Sequence, residues 1–147
     1  MSQALPQRVA DIMIRDVLTL RLDQSLHDGN EAMREHKIRH LPVLDAQERL
    51  VGMLNQKVVL REALQITNVY GSNRLSHHLA LIPVEEVLSG EVLTLTPETP
   101  LAEAGRTLLD NRHGAMPVVD GDGRLVGIVS SVDFVHLAVR LLEAGPA

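Results

Sequence analysis

The chain has 147 residues, 45% of them apolar and 22% charged, a balance that suits one compact domain or two small interdependent halves and excludes two large domains. Its formal net charge of -5 offers no general attraction to nucleic acid or anionic membrane, so an anionic ligand has to be held by a local site. Cysteine is absent, which excludes disulfides, thiolate nucleophiles and cysteine-based zinc sites, and Tyr70 and Phe134 alone cannot build an aromatic platform for single-stranded nucleic acid.

The N-terminal MSQALPQRVADIM lacks the basic and then apolar pattern of a signal peptide, and no stretch reaches about 18 uninterrupted apolar residues, so the reading is a soluble cytoplasmic protein. Val9 to Met13 predicts a short helical turn, and VLTL at 17 to 20 a brief strand. Ser25 and Asp28 form a Ser-x-x-Asp box that opens a helix, along which Leu26, Gly29, Ala32 and Met33 make an apolar stripe containing small residues. LPVLD at 41 to 45 and RLVGML at 49 to 54 predict two strands joined by a tight turn. A helix follows from about Gln56 to Ile66. The polar, turn-forming stretch TNVYGSNRLSHHL at 67 to 79 then reads as a linker.

The same order then recurs at a constant offset of 75 positions. Val84 falls on Val9, VLTL at 92 to 95 on VLTL at 17 to 20, MPVVD at 116 to 120 on LPVLD, and RLVG at 124 to 127 on RLVG at 49 to 52. Thr99 before Pro100 supplies a cap and a first-turn proline for the second helix, with Leu101, Ala104, Thr107 and Leu108 as its stripe. Asp120-Gly121-Asp122-Gly123 provides the positive φ that a tight turn needs. A last helix runs from about Ser131 to Glu143. Each copy is therefore a helical turn followed by β-α-β-β-α: repeat 1 at 1–66, a linker at 67–80 and repeat 2 at 81–147.

On these residues the chain resembles the cystathionine-β-synthase-type (CBS) domain family, whose repeats occur in tandem pairs called Bateman modules. Its marks are Lys37-Ile38-Arg39-His40-Leu41-Pro42-Val43, His113-Gly114-Ala115-Met116-Pro117-Val118-Val119-Asp120 and Gly127-Ile128-Val129-Ser130-Ser131-Val132-Asp133. The resemblance covers nearly the whole chain. It implies an α+β (α/β) fold of two repeats packed as a pseudo-twofold pair, and a non-catalytic regulatory role in sensing an adenine nucleotide.

The last heptad has chemistry of its own. Ser130 lies where a strand ends and a helix begins, so its hydroxyl and the first backbone N–H groups can face a phosphate near the positive helix terminus. Asp133, one turn on, can accept hydrogen bonds from both hydroxyls of a ribose. The same Ser-x-x-Asp pattern is also a capping box that needs no ligand, and sequence alone does not separate the two. At the equivalent positions copy one has Asn55 and Val58; Val58 cannot accept from ribose, which predicts one good site per chain.

The resemblance further implies that each cleft takes its Ser and Asp from one repeat and its base-contacting wall from the other. Carried over, the ligand-binding set is Ser130, Ser131, Asp133 and Ile128 with Leu18, Ile38, Arg39, His40 and Pro42, and Arg39 and His40 are read either as phosphate contacts or as solvated rim residues. AMP or ATP is the favoured regulatory ligand, with ADP and other adenosyl compounds presenting the same group; no cofactor is required. Adjacent His77 and His78 do not converge on one face to hold a metal, and Asp120 and Asp122 lack the ligand run of a calcium loop. The closing helix, with Val132, Phe134, Val135, Leu137, Ala138, Val139, Leu141 and Leu142, is apolar on more than one face and predicts a homodimer. An effector protein in trans would receive the signal, with no nucleic-acid or membrane partner. The alternative is a ligand-free module that dimerises and binds a protein.

Overall fold

A computed structural model describes residues 5–88, 92–111 and 114–145. The chain forms two compact units that exchange their leading segments: one contains residues 18–92, the other residues 1–17 together with 93–147.

In the first unit, β1 (Leu20–Arg21) lies parallel to β2 (His40–Leu44), and β2 pairs antiparallel with β3 (Leu50–Asn55). The expected VLTL strand is thus shorter and shifted to its last residue and the one beyond. Helix α1 (Leu26–His36) opens at Ser25, whose Oγ accepts the Asp28 N–H while the Asp28 carboxylate accepts the Ser25 N–H, each at 3.1 Å. Gly29 sits on its buried face; a Cβ there would collide with the Leu54 side chain, so glycine lets the helix reach the sheet. Helix α2 (Gln56–Tyr70) runs beyond the expected Ile66, because no helix-breaking residue intervenes before Gly71. Helix α3 (Leu75–Ala80) lies within the stretch read as linker. The core gathers Leu26, Leu41, Val43, Leu54 and Val59 with Leu79 and Val84. Val84 comes from the leading turn of repeat 2 (Val84–Val87), tied in by the Val84 N–H donating to the Gln24 carbonyl at 2.7 Å and the Leu26 N–H to the Ile82 carbonyl at 2.9 Å.

The second unit repeats the plan. β4 (Ala115–Val119) and β5 (Leu125–Ser130) pair antiparallel, flanked by α4 (Leu101–Asn111) and α5 (Ser131–Ala144). The second VLTL contributes a single parallel bridge, Leu95 to Val118. Both hairpin turns are held by an aspartate: Asp45 Oδ1 accepts from the Gln47 and Arg49 amides, and Asp120 Oδ1 from the Asp122 and Arg124 amides, at 2.8–3.0 Å. Gly123 takes φ +81°, and Glu48 adopts a left-handed φ of 63° at the equivalent place. His113 of the family pattern lies outside the described residues.

The leading segment of repeat 1 completes this second unit. Val9 and Met13 are buried with Leu95, Leu101, Ala104, Met116, Val118 and Val129. The Ile14 N–H donates to the Ile128 carbonyl and the Ile128 N–H to the Ile14 carbonyl, both at 2.9 Å, so residue 14 borders β5. Asp11 Oδ2 accepts the Gln7 and Arg8 amides at 3.0 Å each, and these bonds, Gln7's first, hold its pKa below the usual carboxylate value. Because the folded pKa is depressed, the stabilisation is present above the ordinary pKa and is lost as pH falls through the folded value. The Gln7 and Arg8 amide chemical shifts should therefore titrate together with a midpoint below the ordinary value of 3.8, and Asp11→Asn should abolish that titration.

Candidate functional site

The heptad from Gly127 to Asp133 spans the junction of β5 and α5. Hairpin pairing sets Ser130 opposite Ala115, and Ser130 takes extended backbone angles as the N-cap of α5. The Ser130 N–H donates to Asp133 Oδ2 at 2.8 Å and the Ser130 hydroxyl reaches the same oxygen at 3.1 Å, while the Asp133 N–H donates to Ser130 Oγ at 3.4 Å. The capping box read as one alternative is therefore formed. It engages only one carboxylate oxygen: among the described residues, Asp133 Oδ1 accepts no hydrogen bond.

Both residues are half-buried, so the carboxylate is neither immersed in solvent nor sealed from it. Ser131 is exposed, and its N–H is already donated to the Gly114 carbonyl at 3.0 Å. Of the first-turn amides, Ser131 and Asp133 have protein partners, and the Val132 N–H has none among the described residues. Ile128 is half-buried and held on both sides, by Pro117 in the hairpin and by Ile14 at the edge.

The copy-one counterpart differs as its side chains require. Asn55 caps α2, its Oδ1 accepting the Val58 N–H at 2.9 Å, and half-buried Val58 stands where Asp133 stands in copy two. Helix capping is preserved there without a carboxylate.

The residues carried over for the wall belong to the unit of residues 18–92. Leu18 and Arg39 are exposed, Ile38 packs half-buried against that unit's core, His40 begins β2 opposite Asn55, and Pro42 is fully buried. The Arg39 carbonyl accepts the Gln56 N–H at 3.1 Å, which ties the segment before β2 to the start of α2. Sequence reasoning did not single out Ile14, because its partner Ile128 is more than a hundred positions away and no local pattern announces the pairing. No cluster of three or more metal-ligating side chains occurs among the described residues, and His77 and His78 are occupied in ring contacts, His78 stacking on Tyr70 with centroids 4.5 Å apart. None of the described helices is long and apolar enough to cross a membrane.

Two internally homologous β-α-β-β-α repeats, the second with a serine-to-aspartate start to its closing helix, define a tandem repeat pair. The sequence profile of the CBS domain matches twice, at residues 9–65 and 84–140, and the chain belongs to the CBS domain family as a tandem pair. A CBS domain-containing protein of Dictyostelium discoideum is 29% identical over 140 residues, covering 94% of this chain and 95% of its own. Among solved structures, a Vibrio cholerae protein attributed to acetoin utilization (AcuB) is 30% identical with a TM-score of 0.77, covering 95% of each chain. CBSX2, solved in complex with AMP, is 28% identical with a TM-score of 0.76, covering 92% of this chain and 98% of its own. The chain spans only about a quarter of the homoserine O-acetyltransferase of Methanohalobium evestigatum, to which it is 29% identical over 130 residues.

Proposed function

We propose that the chain is a non-catalytic, cytoplasmic regulatory module that binds an adenine nucleotide, AMP or ATP in preference, at the start of α5. The observation that carries this reading is the half-buried Asp133 carboxylate, which completes the helix cap with Oδ2 alone and keeps Oδ1 for ribose hydroxyls. The Val132 amide and, once turned outward, the Ser130 hydroxyl are the donors for a phosphate at the positive end of the helix. The AMP bound by CBSX2, a relative of the same fold that the chain covers almost completely, supports the ligand class. No cofactor is required, and the output passes to an effector protein in trans through a homodimer.

Val58 in place of a carboxylate leaves copy one without a ribose anchor. Isothermal titration with AMP should accordingly give one ligand per chain. A stoichiometry of two would overturn the one-site reading. The absence of heat with AMP, ADP and ATP alike would favour the second reading, a ligand-free module that dimerises and captures a protein, which the self-satisfied Ser130–Asp133 cap also permits.

A further inference from the structure

Residues 18–92 form one unit from a single run of chain, whereas the other unit is assembled from two pieces, 1–17 and 93–147, with the whole of the first unit between them in sequence. The leading turn of repeat 2, Val84–Val87, follows α3 inside its own unit. The leading segment of repeat 1 has no such neighbour, and within its unit it is attached by non-covalent contacts alone.

Those contacts lie at a few places. The Val9 and Ala10 N–H groups donate to the Thr99 and Pro97 carbonyls at 2.9 Å each, and the Leu101 N–H donates to the Gln7 carbonyl at 2.8 Å. The reciprocal Ile14–Ile128 pair closes the far end. Val9 and Met13 are buried and Ala10 and Ile12 half-buried, while Gln7, Arg8, Asp11 and Ile14 are exposed. A segment so held separates from its seat more readily than the hairpin it borders, because the cost of opening follows the apolar contacts and backbone hydrogen bonds given up.

Its departure reaches the start of α5 along one strand. Ile128 stands two residues before Ser130 in β5, paired with Pro117 on one side and with Ile14 on the other. Without Ile14, the Ile128 N–H and carbonyl lose their partners, and without Val9 and Met13 the cluster that includes Val129, the residue next to Ser130, is uncovered.

We propose that residues 5–14 form a strap that opens while the rest of the unit stays folded, and that an adenine nucleotide at the start of α5 holds it closed. The linkage rests on the nucleotide reading of Ser130 and Asp133; the opening does not. If opening displaces β5 and weakens the site, then by reciprocity a ligand at the site favours the closed strap by the same factor. Occupancy thereby changes the exposure of Val9 and Met13, which only the open strap presents to solvent.

Amide hydrogen exchange of the full chain, followed by NMR with and without AMP, tests both parts, and calorimetry on the same sample records whether nucleotide binds. In the free protein the Val9, Ala10, Ile14, Leu101 and Ile128 amides should exchange at one shared rate, at least tenfold faster than the amides of the β4–β5 ladder. Saturating AMP should slow that shared rate at least tenfold. Strap amides that exchange no faster than the ladder would overturn the opening. AMP that binds yet leaves the strap rate unchanged would overturn the linkage alone. No heat with AMP, ADP or ATP would overturn the nucleotide reading and the linkage with it, and the free-protein rates would still decide the opening. The absence of cysteine from the parent allows a second check. Ile14 and Ile128 face each other across an antiparallel pair, within reach of a disulfide. An oxidised Ile14→Cys/Ile128→Cys chain should lose the fast exchange at Val9 and Ala10 and regain it on reduction. Fast exchange that persists in the oxidised chain would overturn the strap as a single opening unit.

Discussion

Asp133→Ala should abolish AMP-induced stabilisation and also cost about 1 kcal/mol without ligand, because the residue both caps α5 and offers the acceptor for ribose. Asp133→Asn separates the two roles. An amide oxygen can still accept the Ser130 N–H, so the unliganded melting temperature should stay close to that of the parent. The amide has lost the negative charge and one acceptor, however, and AMP affinity should fall at least tenfold, since hydrogen bonds to a charged group contribute about 1.5–3 kcal/mol. In a thermal-shift assay with AMP at 100 times its dissociation constant the parent gains about 2.7 kcal/mol, several degrees for a chain of this size. If Asp133→Asn keeps that shift, the carboxylate is a cap and nothing more. If it loses both the shift and the unliganded stability, the two roles share one cause and the site assignment is undone.

The repeat made the hairpins and helices legible, because they are local. LPVLD and MPVVD lead into their partner strands across turns closed by Asp45 and Asp120, and each pairing lies within about fifteen residues of chain. The VLTL segments are less regular than their letters: their apolar character is real, as Leu20 and Leu95 are buried, but only the last leucine of each joins a ladder. Least legible was the exchange of leading segments. Nothing near Val9 or Ile14 indicates that they finish a unit built from residues 93–147, since their partners Thr99 and Ile128 are brought to them only by the fold. At the candidate site, Ser130 and Asp133 stood out because capping and anion binding use the same residue types at the same spacing. That Oδ2 serves the cap and Oδ1 does not is a matter of side-chain geometry, which no pattern of letters carries.

The exchanged segment also sets up a test of unequal strain at equivalent positions. Gly52 and Gly127 occupy the same place in the two repeats, each in the second strand of its hairpin. A Cβ on Gly52 would meet Leu88 Cδ1 at 2.8 Å, the end of a flexible side chain that can turn aside. A Cβ on Gly127 would meet Met13 Sδ at 2.8 Å and the Ile14 carbonyl oxygen at 3.0 Å, and that carbonyl is held by the Ile128 N–H. Alanine at either position reduces the freedom of the unfolded chain, a gain of about 0.4–1 kcal/mol that should nearly offset the cost at Gly52. At Gly127 the backbone cannot yield without breaking the Ile14–Ile128 pairing, so Gly127→Ala should be destabilised by about 1–3 kcal/mol. Urea unfolding midpoints of the two variants measure the difference directly. Because β5 runs from Gly127 into Ser130, displacement of the strand should also weaken AMP binding in Gly127→Ala protein that remains folded, whereas Gly52→Ala should bind as the parent does. Equal midpoints would mean that the Met13–Ile14 segment is not held against β5, and the path from the leading turn of repeat 1 to the helix start of repeat 2 would be broken at its first link.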